Sequence, residues 1–359
     1  MKIAKLSIKH WLRMVKKRTL RSILSRKKHK RRPFTNKVST KRMTVIAPKV
    51  LSLGLHYHES FVSFKNTLEK LCHEANRSSQ QVRINFRETE ILSADACTIL
   101  IATIDTIRFL YPDLKFSIIR PKNKPNDYRL QNKMKYDVDA VFCHIGLYKL
   151  LGFNYTSHTS KQNVLCWHYI QGDEADGAIT KPLKDELKNM GISTSGLYRT
   201  WIEGISNAVE HAYDTKIPTK RFFSIKRWWM LLAVLNDEMS IFVCDLGHGI
   251  PNTLEYTQDE NFLLKLWKDV LKLTSKPTND CLYIKAAAAI KESRTELEYR
   301  GKGSTDIKSL IKENDGSVLF IHSNKGTYTF SHNGNERCYE NRSSINGTII
   351  QWNIPLNKA

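Results

Sequence analysis

Apolar positions recur at helical spacing in several segments and at strand spacing between them. Phe61, Phe64, Leu68 and Leu71 share one face, which predicts a helix over 61–77. Val82–Phe86 (VRINF) alternates apolar and polar residues, the period of a half-buried strand. Ser93 stands where an N-cap belongs, before the apolar helical run 94–109, and Pro112 breaks that run. Phe116–Ile119 predicts a second short strand. Tyr136–Leu151 predicts a further helix, stopped near Gly152. These segments form a predicted α/β unit over residues 46–160.

The polar loop Gly172–Gly177 (GDEADG) reads as a boundary. Beyond it the pattern predicts helices Leu183–Asn189 and Ser195–Tyr213. A hairpin follows, Trp228–Leu235 with Ser240–Cys244, joined across Asn236–Asp237–Glu238. A helix-rich segment covers 260–291, and three strand-like runs close the chain: Ser317–His322, Thr327–Phe330 and Thr348–Ile354. Residues 161–359 are thus a second folded part. No internal repeat is visible.

Charge changes this picture at one end. The chain carries 57 Lys and Arg against 35 Asp and Glu, a net +22. Residues 1–42 hold 17 of those cations and no acid, so the other 317 residues carry +5. A basic arm therefore covers 1–45. Ile3, Leu6, Trp11, Met14, Val15 and Leu20 are spaced loosely as an amphipathic helix, and Arg26–Arg32 (RKKHKRR) is a charge run ended by Pro33. The arm has three readings: a disordered solubilising tail, a phosphate-neutralising binder of nucleic acid, or a basic helix on an anionic membrane surface. The seven cysteines, Cys72, Cys97, Cys143, Cys166, Cys244, Cys281 and Cys338, include no CxxC pair. That spacing argues against a zinc ribbon or a disulfide framework and for reduced thiols in a cytoplasmic protein. The apolar run Cys97–Leu110 is too short for a membrane span and contains Asp105 and Arg108.

Candidate chemistry gathers in the second part. On the helix 195–213, Trp201, Ile205, Ala208 and Ala212 make an apolar stripe. Glu203, Asn207 and His211, spaced by four, share another face. A carboxylate there can orient or deprotonate a nucleophile, and an amide oxygen can ligate a hard cation. Polar residues at this spacing alone usually just face water. Asp245-Leu-Gly-His-Gly-Ile-Pro251 follows an apolar strand, so Asp245 sits at a strand end. Gly247 and Gly249 permit a sharp turn close to a ligand. Arg300-Gly-Lys-Gly-Ser304 enters a helical run, a placement suited to anions, and Asn346-Gly-Thr-Ile-Ile opens the last strand.

The order ExxxN, DxGxGI, long helical segment, GxG before a helix, GT on a terminal strand resembles the GHKL superfamily of ATPases. Its members include gyrase, the heat-shock chaperone, histidine kinases and mismatch-repair ATPases. The form of residues 203–213 is most similar to anti-sigma-factor serine kinases and histidine kinase ATPase domains. The resemblance covers roughly 165–356 and implies a Bergerat-type α+β two-layer sandwich binding ATP and Mg²⁺. It implies that Asn207 holds the Mg²⁺ and that Glu203 is the general base or orients the attacking group. Asp245 would read the adenine amine, with Thr348 supporting it. Gly247, Gly249, Ile250 and His211 would shape the pocket, and Gly301, Lys302 and Gly303 would contact phosphates. Residues 252–300 would form a lid. This sequence departs from the family at Ser304, where Leu is usual, and in a long lid containing Trp267 and the run Ala286–Ala289.

The strand–loop–helix at 82–109 resembles a STAS domain, which implies Ser93 as a phosphorylatable position; the alternative is that Ser93 caps its helix. His73, His158 and His168 lack the helical hairpin that a phospho-accepting histidine needs. The chain ends soon after the last strand, which argues against a gyrase-type transducer. The expectation is an ATP-binding regulator that switches with Mg-ATP. It would hydrolyse ATP slowly or phosphorylate a Ser or Thr, and work with a protein partner or as a homodimer. The alternative is a non-catalytic ATP sensor whose arm binds nucleic acid in transcriptional control or phage defence.

Overall fold

The computed structural model describes residues 43–122, 137–156, 167–175, 177–190, 192, 196–218, 225–235, 237–296 and 307–356. The arm through Arg42, His158, Cys166 and the loop Arg300–Ser304 lie outside the described residues. What is described is mixed α/β. No described helix is long and apolar enough to cross a membrane.

The first half begins inside the predicted arm. Thr44–Ile46 is strand β1, too short to show a period in sequence. It pairs in parallel with β3 (Val82–Asn85), which pairs in parallel with β5 (Phe116–Ile119). Parallel neighbours need crossovers, supplied by α1 (His58–Arg77) and α2 (Ala94–Leu110). Short strands β2 (Val50–Leu51) and β4 (Ile91–Leu92) form a second parallel pair. The helix expected over 136–151 is two, α3 (Val138–His144) and α4 (Leu147–Leu150), because Gly146 takes φ 76° between them. Arg120 Nε donates to Asp139 Oδ1 at 2.9 Å, and the Tyr148 hydroxyl donates to the same oxygen at 2.6 Å, tying α3 and α4 to the end of β5. Ser93 has the backbone position of an N-cap, but its hydroxyl makes no capping bond. It donates instead to the Leu51 carbonyl at 3.1 Å and pairs closely with Asp95. The capping expectation is corrected accordingly.

The second half is one seven-stranded antiparallel sheet. It contains β6 (Trp167–Gly172), β7 (Trp228–Leu235), β8 (Glu238–Asp245), β9 (Val318–Ser323), β10 (Gly326–Ser331), β11 (Glu336–Glu340) and β12 (Thr348–Pro355), in the order β11-β10-β9-β12-β8-β7-β6. Because β6 pairs with β7, the loop after Gly172 lies within this half and is not a boundary between folded parts. The helices are α5 (Lys181–Asn189), α6 (Leu197–His211), α7 (Ile250–Thr257), α8 (Glu260–Asp269), α9 (Asp280–Glu296) and α10 (Ser309–Glu313).

Strand alternation sends side chains to both sheet faces. Trp228, Met230, Ile241, Val243, Ile321 and Trp352 pack under α5, α6, α9 and α10. Trp229, Leu231, Phe242, Cys244 and Ile349 pack against the first half in a single shared core. Helix α2 makes that join, touching β7, β8 and β12. It is buried nearly all round because it has a sheet or helix on every side. All described residues belong to one compact unit.

The join also buries two imidazoles. His58 at the start of α1 and His322 on β9 are 1% and 6% exposed. His58 Nδ1 sits 3.6 Å from Glu59 Oε1, and His322 Nδ1 is 2.9 Å from Thr327 Oγ1. Burial, then repulsion from His58, lowers His322 from 6.5 to about 3; burial also lowers His58 against the pull of Glu59. An unfolded chain binds protons at these sites before the folded one does. Stability is therefore full above about pH 6.5 and falls as pH drops toward 3, by about 1.4 kcal/mol per pH unit for one such imidazole. Urea unfolding at pH 7.5 and pH 5 should show that loss, and His322→Gln should reduce it. Equal stability at both pH values would contradict the buried pair.

Candidate nucleotide site

The end of α6 and the loop after β8 are fastened together by backbone. His248 N–H donates to the Ala212 carbonyl at 2.7 Å. Leu246 N–H donates to the Tyr213 hydroxyl at 3.0 Å, and that hydroxyl donates to the Arg227 carbonyl at 2.6 Å. Burial pushes the Tyr213 phenol up, so it stays protonated and fills both roles. The loop needs its glycines. A Cβ on Gly247 would lie 2.0 Å from the Ala212 carbonyl oxygen, and Gly249 takes φ 82° with its Cβ position 2.5 Å from Asn324 Nδ2. Asn324 Nδ2 in turn donates to the His248 carbonyl at 2.9 Å.

Asp245 ends β8 and is 7% exposed; its Oδ1 accepts from Gly247 N–H at 2.8 Å. Thr348 lies directly opposite it on β12. The Thr348 hydroxyl is 2.9 Å from Ser323 Oγ, which accepts from Ile250 N–H at 2.8 Å. Ser323, on β9, thus joins β12 and the start of α7 at one point.

Above this floor lies a cavity with about 970 Å³ of empty space, counted out to its open mouth. Six residues singled out from the sequence line it: Asn207, His211, Asp245, Gly249, Ile250 and Thr348. They come from three segments far apart in the chain. Glu203, half-buried one turn before Asn207, is outside the wall, and Gly247 stands behind it against Ala212. His211 is exposed, with Nε2 3.8 Å from Glu210 Oε2. Gly301, Lys302 and Gly303 fall outside the described residues, and no described wall residue is Lys or Arg.

Much of the remaining wall falls in the segment expected as a lid, 252–300, without having been named residue by residue. Helix α7 adds Thr253 and Thr257, Gln258 follows just after its end, and α9 adds Ile284, Ala287 and Ala288. The alanine run thus has a spatial use, since small side chains facing the cavity leave it open. A mainly apolar wall with a few polar groups suits a ligand with a flat apolar body and polar edges. Tyr213, Ser323 and Asn324 set the site from behind. Tyr213 ends the motif form at 203–213, whereas Ser323 and Asn324 only follow the strand-like run 317–322, and neither placement discloses hydrogen bonding.

Among the described residues no group of three or more His, Cys, Asp or Glu can hold a metal ion. Asn207 and Gln258 are the amide side chains on the described wall. One protein oxygen suits Mg²⁺, which keeps several waters and binds mainly through substrate phosphates. No protein-family model matches the chain, and no curated protein matches it.

Proposed function

We propose that the cavity binds ATP with Mg²⁺ in the manner of the GHKL superfamily, and that the second half is a Bergerat-type domain serving a regulatory switch. The observation that carries this reading is the convergence of Asn207, Asp245, Gly249 and Thr348, from three distant segments, on one cavity. Adenine would lie in the apolar part, its amine toward the buried Asp245 carboxylate beside Thr348. Asn207 would hold the cation that neutralises the phosphates, with Gly301, Lys302 and Gly303 at the phosphate end. The first half, packed on the opposite face of the sheet as a STAS-like unit, would sense the state of the site through the shared core.

A second reading has one observation in its favour. Glu203, the candidate general base, is outside the cavity wall, which suits a protein where ATP sets a conformation without being split. Calorimetry with Mg-ATP on the full chain tests binding. Asn207→Ala should weaken Mg-ATP affinity by about tenfold or more, roughly 1.4 kcal/mol, while leaving Mg-free binding nearly intact. Unchanged affinity would remove the metal role from Asn207. Phosphate release or transfer lost in Glu203→Ala, at preserved affinity, selects the enzyme; equal traces in both proteins select the sensor.

A further inference from the structure

Strand β11 turns every second side chain toward α9. Glu340 accepts from the backbone N–H groups of Asp280 at 3.2 Å and Cys281 at 3.1 Å, covering the first turn of α9. Glu336 pairs with Lys285 at 3.0 Å, one turn further along. Cys338 lies between these two clamps. Its Sγ donates to the Cys281 carbonyl oxygen at 3.7 Å, which brings the two cysteines side by side across β11 and α9.

The other described thiols differ. Cys72, Cys97 and Cys244 are buried, and burial pushes each thiol up, Cys72 to about 12. Half-buried Cys143 is pushed up to about 11 by the same cause. Cys338 is half-buried like Cys143, yet it is held below the ordinary thiol range. The hydrogen bond from Cys281 is the larger cause, and the Lys285 ammonium adds to it against burial. A thiolate-prone, reachable sulfur beside a second thiol is the arrangement that favours reaction with oxidants.

We propose that Cys338 and Cys281 form a peroxide-reactive dithiol, with Cys338 attacking and Cys281 resolving. The Cys338 thiolate attacks one oxygen of hydrogen peroxide. The O–O bond breaks, and the departing hydroxide takes up the proton Cys338 released, giving water and a Cys338 sulfenic acid. Cys281 sulfur then attacks the Cys338 sulfur. The S–O bond breaks, an S–S bond forms, and the hydroxyl leaves as water with the Cys281 proton. Two thiols lose two electrons, and one peroxide becomes two waters. Because α9 carries Ile284, Ala287 and Ala288 on the cavity wall, the disulfide ties that wall to β11. The chemistry stands apart from what the cavity binds.

The test uses the full-length protein with hydrogen peroxide and mass mapping of peptides. One disulfide linking Cys281 to Cys338, reversed by dithiothreitol, is expected. Cys281→Ser should leave a sulfenic acid at Cys338 that dimedone traps, and Cys338→Ser should abolish both products. Without any variant, alkylation of the native protein should be at least about tenfold faster at Cys338 than at Cys72, Cys97 or Cys244. Equal alkylation rates, or oxidation without a Cys281–Cys338 link, would overturn the proposal.

Discussion

Gly247→Ala should lower affinity for Mg-ATP by about a hundredfold or more, roughly 2.7 kcal/mol, and reduce stability by about 2–4 kcal/mol. The added Cβ would stand 2.0 Å from the Ala212 carbonyl oxygen and 2.6 Å from its carbon, both backbone atoms that cannot swing aside. The same carbonyl accepts from His248 N–H, so the loop must detach from the end of α6 to admit the methyl group. Detachment also breaks the bond from Leu246 to Tyr213 and moves the Gly247 N–H that orients Asp245. Calorimetry and urea unfolding on the variant read the two effects separately. Wild-type binding by Gly247→Ala would show that this loop does not shape the site.

Asp105→Ala should cost about 3 kcal/mol of stability, within the range for breaking a buried ion pair from one side. Asp105 is 8% exposed on the largely apolar α2. Its Oδ2 accepts from Arg227 Nη1 at 2.7 Å and from Trp229 Nε1 at 3.0 Å, both on the second half of the chain. Alanine removes the acceptor while a largely buried guanidinium remains. Asp105→Asn should lose less, because an amide oxygen still accepts. Replacing both ion-pair partners, Asp105→Leu with Arg227→Met, should recover part of the loss, since no uncompensated charge is left. The Arg227 carbonyl also holds the Tyr213 hydroxyl, so Asp105→Ala should weaken nucleotide binding as well. Unchanged unfolding midpoints would show that the two halves are not fastened at this carboxylate.

Much of the site is local and therefore legible. The stripe Trp201, Ile205 and Ala208 specifies which face of α6 is buried, and all three are buried. Asn207 and His211 follow on another face by helical geometry. The two glycines after Asp245 announce a tight turn, and both are required by close backbone approach. Other positions gave no usable signal. His248 stands between the two glycines with no role expected of it, yet it is 4% exposed, and its ring Nε2 is 2.9 Å from the Asp214 carbonyl. Glu336–Glu340 (ERCYE) reads as polar, so β11 is not predicted. Its pairing with β10 and its contacts to α9 make it a strand.

By itself the sequence determined the elements with clear periods, the turn at Asp245–Gly249 and the confinement of excess charge to residues 1–42. Each depends on neighbours a few residues apart, where side-chain spacing and backbone freedom act directly. Tertiary structure alone decided that α2 covers the second face of the large sheet, that Asp105 meets Arg227 and Trp229, and that Cys281 faces Cys338. An apolar helix advertises that it must be buried but not against what. Long-range pairing depends on which surfaces fit once every other element has found its place.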